Sequence, residues 1–358
     1  MNNTHDFWNN KRVLITGHTG FKGSWLSLWL NSLGAKVHGI ALDPPTEPNF
    51  FSVANVGTIL VTDTRLDIRD LPVLCKVVNT IKPDIIFHLA AQAVVNYAYD
   101  FPVETYTVNV IGTANILETI RLCDSVQAAI MVTTDKCYEN REEKILYKET
   151  DRLVGTDPYS SSKACAELVT AAYRASFFSS QRIASARAGN VIGGGDWASD
   201  RLIPDCIRAY IASQPVKLRY PDAIRPWQHV LESINGYIML AEQLMSNNAN
   251  QFTTAWNFGP DPEEIKSVGE VAATVCEILG VKLELPTAIQ NKHEAQHLRL
   301  DSSKAKQFLS WHPRWNLQQT IAETMSWYQH WFKGDDMLNV SLCQIKKFTE
   351  SVCVTTDP

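Results

Sequence analysis

An apolar run that stops at a glycine turn and restarts as a helix leaves a chain few folds to choose from. Val13-Leu14-Ile15 leads into Thr16-Gly17-His18-Thr19-Gly20-Phe21-Lys22-Gly23; Trp25, Leu28 and Trp29 then recur at helical spacing from Ser24 to Leu33, and Gly34 sits where a C-cap belongs. A strand, a tight turn and a helix in this order make a dinucleotide-binding unit, although the glycines are spaced differently from the commoner GxGxxG. Gly17 permits the turn, Gly20 lets backbone approach a pyrophosphate, and Gly23 lets helix and strand pack closely. The helix N-terminus brings free N–H donors and partial positive charge to the phosphates.

The rest of the chain repeats the alternation. Strands are expected at Val37 to Leu42, Ile59–Val61, Ile85–Leu89, Ala129–Thr133 and Ile183–Ala186, with long helices over Pro102 to Leu122 and Tyr159 to Phe178. Such alternation predicts an α/β fold, a Rossmann-type doubly wound parallel sheet with a smaller C-terminal substrate-binding domain. The expected division is 1–188 plus about 229–259 for the sheet domain, and about 189–228 plus 260–358 for the other. The two long helices predict a homodimer through a four-helix interface, with pairing to a tetramer left open. The polar tail after Lys333 is expected to be loosely held.

Asp43 closes the second strand, where a carboxylate accepts bonds from ribose hydroxyls and repels a 2′-phosphate, so NAD is expected in preference to NADP. Asp67-Ile68 follows the third strand, as an adenine contact or a solvated turn. Tyr159 and Lys163 lie four residues apart, on one helix face. An ammonium and a positive nicotinamide ring favour a phenolate, so Tyr159 can take a hydroxyl proton while a hydride leaves the same carbon. Thr134, Asp135 and Lys136 end an apolar strand, and an acid and an amine beyond the Thr/Tyr/Lys set imply further proton transfers.

Charge and cysteine usage narrow the class. A net charge of -5 argues against a broad nucleic-acid surface, and no run approaches the ~18 apolar residues of a membrane span. With no signal-peptide pattern at MNNTHDFWNN, a cytoplasmic location is expected. The eight cysteines contain no CxxC pair and read as reduced packing residues. His293-Glu294-Ala295-Gln296-His297 spells HExxH, but its polar flanks and the lack of a third ligand argue against zinc. Asp301-Ser302-Ser303-Lys304 reads as a helix cap.

These residues resemble the extended branch of the short-chain dehydrogenase/reductase superfamily over almost the whole chain, and within it the nucleotide-sugar 4,6-dehydratases. GHTGFKGSWL at Gly17 to Leu26, TDKCYEN at Thr134 to Asn140, RAGNVIGGGDWA at Arg187 to Ala198 and RPWQHV at Arg225 to Val230 are similar to the branch that acts on CDP-glucose. The resemblance implies NAD as resident cofactor and an internal redox cycle in deoxysugar (O-antigen type) biosynthesis. C4 is oxidised, water is lost across C5 and C6, and the hydride returns to C6 with a proton to C5. It implies Thr134, Asp135, Lys136, Tyr159 and Lys163 as the catalytic set. Thr19, Phe21, Lys22, Leu89, Ala90 and Ala91 would join the glycines, Asp43, Asp67 and Ile68 around the cofactor. Gln92, Asn190, Arg219, Arg225, His229 and His297 would face the nucleotide sugar, with Trp227 stacking or packing nearby. Lys136 stands where related dehydratases carry a glutamate base. A 4-epimerase or a decarboxylase shares the turn and the Tyr/Lys pair but does not need Asp135 and Lys136.

Overall fold

The computed structural model describes residues 2–141, 145–179, 181–285 and 298–351. Its centre is a sheet of β1 (Arg12–Thr16), β2 (Lys36–Ala41), β3 (Thr62–Arg65), β4 (Ile85–His88), β5 (Ala128–Val132), β6 (Arg182–Ala188) and β7 (Ala255–Phe258). The seven strands run in the order β7-β6-β5-β4-β1-β2-β3, every pairing parallel. Strand order reverses between β1 and β4, which opens a crevice at their carboxyl ends.

Alternation along each strand separates two cores. Leu14, Ile40, Ile86, Ala129 and Met131 point to one face, against α2 (Leu71–Ile81) and α3 (Gly112–Arg121). Val13, Ile15, Val37, Phe87, Ile130 and Ala184 point to the other. That larger core takes in α1 (Phe21–Ser32), α6 (Val230–Leu244), α7 (Leu317–Lys333) and α8 (Met337–Glu350). Between them in the chain come α4 (Pro158–Phe177) and α5 (Leu202–Ile211).

The expected strand at Ile59–Val61 is a correction. Val56–Ile59 forms a 3-10 turn, and β3 is the polar run Thr62–Arg65. As an edge strand β3 is half in water, so it needs hydrogen-bonding partners rather than an apolar face. The tail after Lys333 is the second correction. It forms α8, whose buried Phe348 meets Trp29 of α1 edge-to-face at 5.5 Å. The helix expected over Pro102 to Leu122 is present, but it widens into a π turn at Thr107–Ile111 before α3. Asp301 caps the helix Ser303–Leu309 through the Ser303 N–H at 2.8 Å. Among the described residues no helix is long and apolar enough to cross a membrane.

After β6 the chain leaves the sheet in a loop that only glycine could build. A Cβ on Gly194 would lie 2.0 Å from the Trp327 indole, and Gly195 sits at φ +83 against Phe50. Trp197, Trp327 and Trp331 pack edge-to-face beneath this loop, which carries it back over the crevice.

Candidate active site

The glycine turn joins three strands. Gly17 at φ +78 donates its N–H to Ile40 O at 2.8 Å, and a Cβ there would stand 2.7 Å from Ala90 N. A Cβ on Gly23 would come within 2.1 Å of Gly17 O, so helix and turn touch backbone to backbone. Helix α1 starts at Gly20 with no side-chain cap, which leaves its first N–H groups for a ligand. Thr19 secures the second strand by donating to Leu42 O at 2.9 Å. Such a cradle, open backbone donors with no room for side chains, fits a dinucleotide pyrophosphate. Beside it Asp43 is exposed and accepts from Arg65 Nε at 2.9 Å. Asp67 is held by the Arg69 guanidinium, and Ile68 is buried against Gly112.

The β4 side of the crevice is tied to the turn. Leu89 N donates to Thr16 O at 3.0 Å and Ala90 N to Thr16 Oγ1 at 3.3 Å. Gln92 N donates to Asn109 Oδ1 at 2.9 Å, while Asn109 Nδ2 donates to Gln92 O and to Ser162 Oγ of α4. Gln92 Oε1 is buried and has no protein partner, as a ligand-facing group would be. His88 lies beneath, bonded to Thr16 and Thr113, and burial with the nearby Lys163 charge brings it down to about 3, hence neutral.

Side chains from β5 and α4 meet in the crevice. Asp157 caps α4 by accepting from Ser160 N at 2.9 Å, and Pro158 presets the first turn, which places Tyr159 and Lys163 on its buried side. Tyr159 lies within hydrogen-bonding reach of the Thr134 hydroxyl. Lys163 Nζ donates to Val132 O at 3.3 Å, and burial followed by the charge of Lys22 brings it down to about 8. Asp135 is buried; Oδ1 accepts from Thr134 Oγ1 at 2.9 Å and Oδ2 has no protein partner. Burial raises its pKa, opposed by Lys136, Thr134 and Arg225, so this carboxyl can carry a proton. A Cβ on Gly189 would sit 2.9 Å from Asp135 Oδ2, so glycine is needed to keep that oxygen clear.

Tyr159 is pushed up to about 12, chiefly by burial, so the protein by itself holds the phenol protonated. Lys163 spends its bond on the Val132 carbonyl instead.

Further charged groups close in around this set, and of them only Lys22 was expected. Lys22 turns inward from the glycine turn, donates to Tyr237 OH at 3.1 Å, and is brought down to about 8 by burial and Arg201. Arg201, paired with Asp196 at 2.9 Å, is within electrostatic reach of both Lys22 and Tyr159. Behind the site Glu167, one turn after Lys163, pairs with Arg187 at 2.8 Å with both side chains 3% exposed. Glu167 also accepts from Thr133 and Ser185, and Arg187 donates to Tyr138 OH at 2.7 Å. Arg187 outweighs burial and holds the Glu167 pKa low, so the pair stays ionic. Their sequence signal was the i, i+4 step from Lys163 and the alternation of β6; neither reveals pairing across the sheet.

The residues expected around the nucleotide divide. Asn190 is half-buried at the carboxyl end of β6. Arg225 is buried and acts on Asp135, its charge opposing the rise that burial gives that carboxyl. Arg219 pairs with Asp200, which also accepts from Asn96 of the short helix Val95–Asp100 at 2.8 Å. Trp227 packs, its indole donating to Lys266 O at 3.0 Å. His229 caps α6 through Leu231 N and lies fully buried, its ring 4.8 Å from that of Trp315 and its Nε2 without a protein partner. His297 and the HExxH stretch lie outside the described residues.

Comparison with known proteins agrees with this geometry. Residues 14–324 match the GDP-mannose 4,6 dehydratase family. The chain is 45% identical to the CDP-glucose 4,6-dehydratase of Salmonella typhimurium, covering 98% of this chain and 99% of that one. It is 26% identical to a dTDP-glucose 4,6-dehydratase of Xanthomonas campestris, over 90% of this chain and 95% of the other. Among solved structures, the dTDP-glucose 4,6-dehydratase of Streptomyces venezuelae with NAD bound superposes with a TM-score of 0.76. The superposition spans 91% of this chain and 99% of that one at 22% identity.

Proposed function

The chain belongs to the GDP-mannose 4,6-dehydratase family, and from that premise we propose that it is a hydro-lyase converting CDP-glucose to CDP-4-dehydro-6-deoxy-D-glucose. The observation that carries the reading is Asp135, a buried carboxyl with one unpartnered oxygen, set among Thr134, Lys136 and Tyr159. Hydride transfer alone needs no such acid. Elimination of water does.

When bound, NAD supplies the acceptor for the C4 hydride and its later donor to C6. Gly17, Gly20, Gly23 and the first N–H groups of α1 hold its pyrophosphate, with Thr19, Phe21 and Lys22 completing the turn. Asp43 takes the ribose, Asp67 and Ile68 the adenine, and Leu89, Ala90 and Ala91 form the facing wall. Tyr159 removes the 4-hydroxyl proton. Its phenol needs added positive charge to do so, because burial holds it near 12. Lys163, charged at neutral pH, provides part of that pull, to which the positive ring of bound NAD would add. Asp135 protonates the departing C6 hydroxyl. Lys136 acts on the C5 side, as base or as the cation beside an enolate. Replacing Lys136 with Met and following solvent-deuterium exchange at C5 separates the roles: unimpaired exchange rules out the base. Gln92, Asn190, Arg219 and Arg225 line the substrate side, Arg225 also restraining Asp135.

Incubation with CDP-glucose should give the alkaline ultraviolet absorbance of a 4-keto-6-deoxy sugar. Signal with dTDP- or UDP-glucose instead would overturn the cytidine assignment, and no signal with any would overturn the dehydratase. The exposed apolar side chains Val103, Ile111, Leu168 and Phe177, on the two long helices, support a homodimer through them. A monomer by light scattering would refute it.

A further inference from the structure

The carboxylate that reads the ribose is not alone. Arg65, last residue of β3, pairs with Ala41 of β2 in the sheet register, which sets its side chain beside Asp43. Its Nε donates to Asp43 Oδ1 at 2.9 Å while Nη1 is bonded to Asp63. The guanidinium lies 5.3 Å from the Phe51 ring centroid, and Nη1 is 3.4 Å from His18 Nε2. His18 in turn is fixed by Asp63 at 2.7 Å and by Gly39, where any Cβ would strike its ring. Asp63, Phe51 and His18 therefore hold the guanidinium in place, whereas the Asp43 side chain is 88% exposed and, within this cluster, bonded to Arg65 alone.

A bare carboxylate at this position repels a 2′-phosphate, and an arginine accepts one. Here the two stand in contact. We propose that Arg65 is a determinant of cofactor choice: it neutralises Asp43 against a 2′-hydroxyl and serves as the anion partner when a 2′-phosphate displaces that acid. The inference rests on the dinucleotide reading of the glycine turn. It makes the chain a weak discriminator, accepting 2′-phosphorylated dinucleotides that Asp43 alone would exclude. A guanidinium suits this task because its planar donors can pair with Asp63 and a phosphate together.

Calorimetric titration of the intact protein with NADH and with NADPH reads the effect as a ratio of dissociation constants, without turnover. The wild type should bind both, NADPH within about tenfold of NADH. Arg65→Gln, which removes the charge and shortens the side chain, should widen that ratio at least tenfold, and Asp43→Asn should narrow or invert it. Arg65→Lys should fall between. A wild type that rejects NADPH by more than a hundredfold, or an Arg65→Gln protein with an unchanged ratio, overturns the proposal. Binding of neither dinucleotide by protein with a native circular dichroism spectrum overturns the dinucleotide reading itself, and this inference with it.

Discussion

The glycine turn and the β5–α4 ridge face each other across one crevice, yet they are built on opposite principles. Contacts at the turn are backbone on backbone: Gly23 against Gly17 O, Gly17 against Ala90 N. At the ridge they are side chains taken out of water, with Asp135, Tyr159, Lys163, Glu167 and Arg187 all buried. One region fails when an atom is added. The other fails when a charge or a proton is removed.

Gly23→Ala is the severest test of that contrast. Its methyl would need to displace Gly17 O from 2.1 Å, so dinucleotide binding and turnover should both vanish, as calorimetry and the absorbance assay would show. Retained binding would mean that the turn is softer than its contacts imply. Tyr159→Phe should instead lower turnover by about 10²- to 10⁴-fold while binding survives, which single-turnover measurements would separate. Next comes Glu167→Gln. It touches no ligand but strands Arg187, and urea unfolding should register a loss of about 3–5 kcal/mol. A loss under about 1 kcal/mol would show that the ridge does not depend on buried charge.

The smallest effect sits in the opposite core and concerns pH. Glu232 is pushed up to about 8 by burial, against hydrogen bonds from Trp315 and Arg314, so the fold keeps a proton that the unfolded chain releases near 4.5. Stability from this group is full below that value and is lost as pH rises through about 8. Glu232→Gln should flatten the decline of urea midpoints between pH 5 and pH 8, and an unchanged slope would assign the decline elsewhere.

Much of this was legible in the linear chain, for a physical reason. The turn, the buried strands and the Tyr159–Lys163 step are local, fixed by residues within one helical turn or one strand. What escaped reading depends on distant partners. β3 carries no apolar alternation because it is an edge. Lys22 was legible as part of the cofactor turn, but its inward bond to Tyr237 was not, because that partner lies 215 residues away. His229 has the chemistry of a phosphate ligand but is walled in by Trp25 and Trp315. α8 looks too polar to dock, since only Met337, Ile345 and Phe348 of its apolar residues are fully buried. Arg65, in a polar edge strand, gave no signal at all.

The wide turn at Thr107–Ile111 sets the phase of everything after it. A regular helix rotates by about 100° per residue, so one extra residue in the turn offsets the two ends by that angle. With it, Asn109 points to Gln92 and Ser162 while Ile116, Leu117 and Ile120 still face the sheet. Shortening that turn by one residue would force a choice between the asparagine's aim and the core's seal. The helix therefore behaves as a keyed shaft: insertions and deletions elsewhere in its surface loops are tolerable, whereas a single-residue slip at this point misaligns the site or the fold.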